Sequence, residues 1–309
     1  MARLELPASL LLLAPACDDR TPASAEEGAE PLGFTTVDTF EAVHTPPGDL
    51  KDARYSIDVS DLLHEGNTKV YRGTLSVDGR RHRNADVVCK LARGKTSVEA
   101  LHREADLYRG RLAPLQGRCI PTFVGLFGGE TEGEERACLV LTYEGSVMQL
   151  SLYTSTIDFR KKVVNALLAV HKAGVHHGAF NEAHIVVRDG DHAPVLVGFD
   201  TAEEHVCHLS GPIEFYAPQP HSSAVGCEEV YWACVVAAAW LPATVDFLNT
   251  TIPVEWALEG FEELVARAPK GTDPDLARMH AELTREDLLE WIEERELYDG
   301  QPLPVKIAD

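Results

Sequence analysis

The chain has 309 residues, enough for a substantial hydrophobic core, and 45% of them are hydrophobic and 25% charged, as is usual in globular proteins. Its 28 Lys and Arg against 49 Asp and Glu give a net charge of −21, which repels nucleic-acid backbones and anionic lipid head groups. We therefore expect neither nucleic acid nor a membrane as a partner, and no segment has the roughly 18 uninterrupted apolar residues of a membrane span.

Residues 1–54 are predicted to form an acidic, disordered tail, because they are rich in Pro, Glu, Ala, Thr and Gly and show little hydrophobic periodicity. The apolar start at residues 6–16 has the length of a signal-peptide core, but a single Arg offset by Glu5 makes a weak flank. The seven cysteines are scattered without a C-x-x-C pair, which favours a reduced cytoplasmic or nuclear protein over a secreted one. No His, Cys and carboxylate cluster has metal-ligand spacing, so no metal site is predicted.

Residues 55–143 are predicted to form a small antiparallel sheet with one helix. The runs KVYRGTL (69–75) and ADVVCKLA (85–92) are rich in β-branched residues and are separated by the turn-forming pair Asp78-Gly79. Residues 97–112 have apolar side chains near helical spacing, and CLVLTY (138–143) is a continuous apolar strand.

Residues 144–265 are predicted to be mostly helical. Ser155 or Thr156 can cap a helix whose apolar stripe ends at Gly174, and two short strands follow, HIVV (184–187) and PVLVGF (194–199). Beyond Gly211 the pattern is helical to the end, with residues 266–309 as a C-terminal helical extension. The order predicts an α+β protein with two lobes, a sheet plus one helix and then a mostly helical lobe.

Three stretches along this plan carry residues of chemical interest. Lys90 ends the run VVCK, and Glu104 lies 14 residues later (104 − 90) on the predicted helix. The stretch GVHHGAFNEAHIVV (174–187) follows a helix, and VLVGFD (195–200) comes next. Since a lone strand Lys or helix Glu is ordinarily a solvated surface group, the interpretation depends on all three stretches occurring in this order.

In this order the stretches resemble a eukaryotic-type protein kinase domain over about residues 55–241. The His-Gly opening at His177 is also similar to the loop of aminoglycoside- and choline-phosphotransferase-type kinases. Ala217-Pro218-Gln219 and Glu229-Val230-Tyr231 resemble two structural markers of the kinase helical lobe. The resemblance implies a two-lobed protein-kinase-like fold in which Lys90 holds nucleotide phosphates and pairs with Glu104.

The resemblance also places unsuitable residues at the chemical positions. Ala179 stands where the family has its catalytic aspartate, His184 where it has a metal-binding asparagine, and Gly198 where the D-F-G aspartate would be. A methyl group cannot accept a proton, and imidazole is a poor ligand for Mg²⁺, which prefers oxygen. In the phosphate-cradling loop only Gly66 remains, and Glu65 stands at a usual glycine position.

The resemblance therefore implies a pseudokinase, a binding or scaffolding module for protein partners. No catalytic residue, metal or cofactor is expected, and ATP, if it binds, binds weakly. Such a nucleotide site would use Lys90, Glu104 and Gly66, with the adenine packed near Leu141 and Tyr143.

Two alternatives remain open. One is an active ATP-dependent phosphotransferase, for a protein or a small molecule, in which Asp200, Glu182 or Asp189 replaces the lost residues. Asp200 follows Gly198 by two positions, and alternate residues of an extended strand share a face. The other alternative is a helical interaction protein whose resemblance to kinases is accidental.

Overall fold

The computed structural model describes residues 3–7, 37–44, 53–131 and 133–308. The chain divides into two compact units, Met1–Glu144 and Gly145–Asp309, and it combines helices with sheets. The first unit contains the largest sheet and one long helix, and the second consists mainly of helices with short strands. No helix among the described residues has the length and apolar character to cross a membrane.

Seven strands of the first unit form one closed sheet in the order β1-β2-β6-β7-β5-β4-β3. Neighbouring strands are antiparallel, except for the parallel pair β1 and β3 that closes the sheet. The strands are β1 (Arg3–Pro7), β2 (Val37–His44), β3 (Arg54–Glu65), β4 (Thr68–Val77), β5 (Arg80–Arg93), β6 (Phe123–Thr131) and β7 (Glu134–Thr142).

The alternation of side chains along β4 explains which face of the sheet is inside. Tyr71, Leu75 and Val77 are buried while their neighbours are less so, which is the period-2 pattern of a strand with one face in a core. The predicted Asp78-Gly79 turn joins β4 to β5, and both residues have positive φ (50° and 71°), as the tight hairpin requires.

Two pieces of the predicted disordered tail are strands, β1 and β2. Leu4 and Leu6 on β1 are buried in the core inside the closed sheet, with Tyr55 and Phe127. The alternation in RLELP is a strand pattern, but five residues are too few to stand out from a tail of biased composition. The rest of the predicted tail, 8–36 and 45–52, lies outside the described residues, and so does most of the apolar stretch 6–16.

The long helix of the first unit, α1 (Lys95–Arg109), packs on β5, β6 and β7. Val98, Leu101, Ala105 and Tyr108 form its buried face at helical spacing. The helix ends three residues before the predicted end at Leu112, because Gly110 follows Arg109 and its N–H bonds to the carbonyl of Asp106.

The second unit contains six helices among its described residues. They are α2 (Ile157–Lys172), α3 (Ser222–Val225), α4 (Glu228–Val236), α5 (Val254–Glu259), α6 (Phe261–Ala266) and α7 (Pro274–Asp299). Its strands are β8 (Gly145–Val147), β9 (Val175–His176), β10 (Ile185–Arg188), β11 (Pro194–Leu196), β12 (Glu203–Glu204), β13 (Thr244–Phe247) and β14 (Thr250–Pro253). Strands β8, β10 and β11 form a small sheet, and β9 pairs with β12.

Helix α2 begins and ends where the sequence predicts. Thr156 Oγ1 accepts a hydrogen bond from the backbone N–H of Phe159, which caps the first turn. The helix ends at Lys172, before Gly174, whose positive φ (83°) turns the chain out of the helix. Within the second unit α2 is tied to α7 by Arg160, which is buried and pairs with Asp299.

The chain beyond Gly211 is not continuously helical, contrary to the prediction. Strands β13 and β14 form a hairpin, and its turn residues Leu248 and Asn249 both have positive φ. The runs TVDF and TTIP are rich in β-branched residues and lie on either side of Asn249, which is the pattern of a hairpin. The prediction of continuous helix did not take this pattern into account. The predicted extension 266–309 contains α7, whose Ala281, Leu288 and Ile292 lie in the core of the second unit.

Candidate functional site

Lys90 and Glu104 lie together in the first unit. Lys90 is on β5, between β4 and β7, and Glu104 is on the face of α1 that packs against the sheet. The Lys90 Nζ atom is 2.6 Å from Glu104 Oε2, and their side chains are 9% and 0% exposed. Two residues that were linked only by their spacing in sequence thus form an ion pair.

Burial makes the Lys90–Glu104 ion pair energetically more important than an ion pair on the surface. Glu104 Oε1 has no hydrogen-bond partner among the described residues, so the Glu104 carboxylate depends on its contact with Lys90. An ionised carboxylate without water or a partner is strongly disfavoured in a protein interior. Each charge is therefore needed to compensate the other.

Of the other residues predicted to bind a nucleotide, Leu141 lies on the same face of the sheet as Lys90, and Tyr143 contacts Arg72. In the antiparallel register Lys90 pairs with Leu139, so Leu141, two residues later on β7, lies on the same face of the sheet. Tyr143 follows β7, and its ring lies 4.0 Å below the Arg72 guanidinium.

Gly66 lies in the turn between β3 and β4, where its N–H bonds to the carbonyl of Thr68. The residue before it, Glu65, would repel phosphate if its negative charge faced a nucleotide alone. Instead, Glu65 Oε1 lies 2.9 Å from Lys69 Nζ in a surface ion pair. The turn therefore contains Gly66, and the positive charge of Lys69 lies beside the negative charge of Glu65.

In the second unit, His177 is buried in the loop between β9 and β10. Its Nε2 atom lies 3.0 Å from the carbonyl of Val197, and its Nδ1 accepts from the backbone N–H of Ala179. Burial disfavours the imidazolium form and lowers the pKa of His177 to about 4. At neutral pH the ring is therefore uncharged and donates from Nε2 to Val197.

The three predicted degenerate positions, Ala179, His184 and Gly198, meet in one place. His184 Nδ1 is 2.6 Å from the carbonyl oxygen of Ala179, which orients the imidazole ring. Gly198 has φ 82°, and a Cβ atom added there would lie 2.4 Å from His184 Cδ2. The His184 ring therefore occupies the space that any side chain at position 198 would need.

The three carboxylates proposed as substitutes lie on turns of the chain. Gly198 is left-handed and Phe199–Thr201 is a single 3₁₀ turn, so Asp200 does not share a strand face with position 198 as predicted. Glu182 Oε1 accepts from the backbone N–H of Leu152, and Asp189 lies in the exposed turn after β10.

Glu229 is a residue whose role the sequence did not identify beyond a structural marker. Its carboxylate accepts hydrogen bonds from the backbone N–H groups of His177 (2.9 Å) and Gly178 (2.7 Å), and it lies 2.6 Å from His171 Nε2. Burial opposes ionisation of Glu229, but the bonds from His171, His177 and Gly178 outweigh it and lower the pKa to about 2. Glu229 thus holds the backbone of the loop after β9 at His177 and Gly178.

The structure also assembles a cluster that the sequence did not predict. His171, His205, Cys207 and Cys227 come together although they are separated along the chain. Their only short spacing in sequence is His205-x-Cys207, and metal sites that can be recognised from sequence have paired short spacings. The sequence thus lacks metal-ligand spacing, as stated above, while the fold brings four potential ligands together.

No protein-family profile matches the chain, and no curated protein sequence matches it. The assignment of a function therefore depends on the geometry of the two units.

Proposed function

We propose that this protein is a degenerate protein-kinase-like domain that serves as a binding or scaffolding module and does not transfer phosphate. The observation that carries the proposal is the packing of the His184 ring against Gly198. At the position where the kinase family holds a metal-binding aspartate, this chain has no side chain and no room for one.

Loss of the metal ligands matters because phosphoryl transfer depends almost wholly on positioning and on metal ions that neutralise charge. The Ala179 methyl group cannot act as a base. His184 offers nitrogen in place of the oxygen that Mg²⁺ prefers, and its Nδ1 is already engaged by the Ala179 carbonyl. None of these three positions provides a carboxylate.

The buried Lys90–Glu104 pair supports the kinase-like interpretation of the first unit, since a phosphate-holding lysine in that family is oriented by a helix glutamate. We propose that ATP binds weakly at this pair, without Mg²⁺, because one lysine cannot balance nearly four negative charges. Gly66, Leu141 and Tyr143 would complete such a site.

The partners proposed for such a module are proteins. The net charge of −21 repels nucleic acid and anionic membranes. A protein partner with a basic surface would instead be attracted over a range of about 8 Å at physiological salt. We place this activity in the cytoplasm or nucleus, where the scattered cysteines stay reduced.

Transfer of labelled phosphate from ATP tests the proposal. The purified full chain is incubated with Mg²⁺ or Mn²⁺ and generic protein and small-molecule acceptors. The control is Lys90→Met/Glu104→Leu, which removes both charges of the buried pair together and leaves neither uncompensated. We expect the wild type and this variant to transfer the same background amount of labelled phosphate to the acceptors.

One observation favours the second candidate, an active phosphotransferase with substituted residues: the buried ion pair is intact. Metal-dependent transfer by the wild-type chain that disappears in Lys90→Met/Glu104→Leu, but persists in the surface variant Lys69→Met, would replace the scaffolding proposal with that one.

A further inference from the structure

The cluster of His171, His205, Cys207 and Cys227 joins three separate stretches of the second unit. His171 is in the last turn of α2, Cys227 is the residue before α4, and the other two lie in the segment after β12. Their ligand atoms all lie within 4.8 Å of one another. Cys227 Sγ is 3.5 Å from His171 Nδ1 and 3.8 Å from His205 Nε2.

These separations fit a tetrahedral zinc site. With Zn–N near 2.0–2.1 Å and Zn–S near 2.3 Å, adjacent ligand atoms of a tetrahedron lie about 3.3–3.8 Å apart. The two distances from Cys227 Sγ fall in this interval. Two imidazoles and two thiols form a Cys₂His₂ donor set, which selects Zn²⁺ over the hard ions Mg²⁺ and Ca²⁺.

The backbone holds the segment of His205 and Cys207 against the rest of the cluster. Strand β12 pairs with β9, and the N–H of His205 donates to the carbonyl of Gly174, just beyond α2. Further on, the N–H of Ser210 donates to the carbonyl of Val225, close to Cys227. The four side chains are thus brought together by regular pairing on both sides of the segment.

An independent observation points to the same chemistry. His171 turns Nδ1 toward Cys227 and places Nε2 2.6 Å from Glu229 Oε2. In metal sites the second ring nitrogen of a histidine ligand commonly donates to a carboxylate, which fixes the tautomer and raises the basicity of the ligand atom. His171 and Glu229 have this arrangement, with the His171 side chain 1% exposed.

We propose that His171, His205, Cys207 and Cys227 bind a structural Zn²⁺ ion. Four protein ligands leave no open position, so the ion would have a structural role. Binding converts two thiols to thiolates and releases two protons, and two thiolates with two neutral imidazoles then balance the charge of Zn²⁺.

The ion would tie the segment after β12 to the end of α2 and the start of α4. Through Glu229 it would also support the backbone of His177 and Gly178, because Glu229 contacts both that loop and His171. Glu229 would therefore be a positioning residue for the metal.

The competing chemistry is a disulfide between Cys207 and Cys227, which are free thiols in the structure. Oxidation would remove two electrons and two protons and would leave only the two histidines to bind a metal. The variant His205→Ala distinguishes the two outcomes, because it removes a zinc ligand but leaves both cysteines able to pair. Zinc binding would be lost in this variant, whereas a disulfide would still form.

The test uses the untagged full chain, expressed with zinc in the medium and purified under reducing conditions. Elemental analysis should find about one zinc ion per chain in the wild type. His205→Ala and the double variant Cys207→Ser/Cys227→Ser should each lose most of it. Cys119→Ser is the matched control, because Cys119 is half-buried like Cys207 and lies in the first unit.

Cobalt substitution keeps the proposal testable if a variant fails to fold. Metal-free wild-type protein titrated with Co²⁺ should develop thiolate-to-cobalt charge transfer and the intense visible bands of a tetrahedral site. Glu229→Gln should keep this spectrum while weakening zinc binding by about 10- to 100-fold.

A reduced wild-type chain with neither zinc nor these bands would overturn the proposal. So would thiol titration of protein purified without reductant that finds Cys207 and Cys227 oxidised in both the wild type and His205→Ala.

Discussion

The two units bury polar groups in different ways at the site residues that the sequence predicts. In the first unit a full ion pair, Lys90 with Glu104, lies between a central strand and a helix. In the second unit the buried side chain of the loop after β9 is a neutral histidine, His177, and the nearby His184 ring packs against a residue with no side chain. At these positions the first unit has two charges that compensate each other, whereas the second has uncharged groups in close contact, and its own buried ion pair, Arg160 with Asp299, joins α2 to α7.

The two arrangements constrain substitution differently. Changing one member of a buried ion pair leaves the other charge without compensation, so each residue opposes loss of its partner. The loop after β9 contains no such ion pair between its own described residues, because the donors and acceptors named above bond to backbone groups and to Glu229. A buried ion pair can therefore be required for the stability of a fold whether or not the protein has an enzymatic activity.

The largest expected effect tests the buried pair. Lys90→Met should lower the free energy of unfolding by about 3–5 kcal/mol, because Glu104 would be left buried and uncompensated. Urea unfolding followed by far-ultraviolet circular dichroism measures this loss. Tryptophan fluorescence would not report it directly, since the four tryptophans lie in the second unit, at positions 232, 240, 256 and 291.

The matched control is Lys69→Met, which breaks the exposed pair with Glu65 (23% and 61% exposed) and should cost about 0–1 kcal/mol. The double variant Lys90→Met/Glu104→Leu should recover most of the stability lost by Lys90→Met. Equal losses for Lys90→Met and Lys69→Met would show that burial does not distinguish the two pairs.

The next effect tests the packing in the second unit. Gly198→Asp should cost about 2–4 kcal/mol, because a non-glycine residue at φ 82° is strained and its Cβ overlaps His184. Unfolding followed by tryptophan fluorescence measures the change. Gly190→Asp is the matched control, since Gly190 also has positive φ (101°) but nothing lies within 4 Å of an added Cβ.

A second substitution separates strain from overlap. His184→Asn shortens the overlapping side chain, so in the Gly198→Asp background it should restore about 1–3 kcal/mol and leave the backbone strain in place. An equal cost for Gly198→Asp and Gly190→Asp would contradict the proposed occupation of this space by His184.

A smaller effect concerns pH. The pKa of His177 is about 4 in the folded protein and 6.5 in the unfolded chain, so between these values the unfolded state binds more protons. Stability should therefore fall as pH falls from 6.5 to 4, by about 3 kcal/mol or less from this residue. His177→Gln should remove this part of the pH dependence, whereas the exposed variant His221→Gln should keep it. The same slope in all three proteins would be the contrary result.

The smallest expected effect is nucleotide binding. A dissociation constant on the order of 0.1–1 mM corresponds to about −4 to −5.5 kcal/mol, and ATP near that concentration stabilises by only roughly 0.4 kcal/mol. A thermal-shift titration should give the same small shift with and without Mg²⁺, and none in Lys90→Met/Glu104→Leu. A micromolar, Mg²⁺-dependent shift would reopen the case for an active enzyme.

Much of the local structure was predictable from the sequence. Thr156 caps α2, Gly174 follows its end, and Asp78-Gly79 forms the turn between β4 and β5, because caps and turns depend on residues a few positions apart. The pairing of Lys90 with Glu104 was also predictable, but only through the resemblance to kinases. Its complete burial was not, since burial depends on how α1 packs on the sheet.

The failures have a common form. Strand β1 was missed because its alternation spans five residues, and Asp200 was misplaced because Gly198 leaves the extended conformation. The local sequence pattern was insufficient in both cases. Strand β1 is formed by pairing with β2 and β3, and the position of Asp200 depends on the left-handed backbone at Gly198.

The sequence by itself determined the β4–β5 hairpin, the helix α1 that follows it, the cap and end of α2, and which chemical groups stand in the loop after β9. Only the tertiary structure decided that His184 packs against Gly198, and that His171, His205, Cys207 and Cys227 form one cluster. The physical reason is the range of the interactions. Hydrogen-bonded turns and hydrophobic periodicity act between neighbours in sequence, whereas ligand clusters and side-chain overlap require residues up to 56 positions apart (227 − 171) to be packed together.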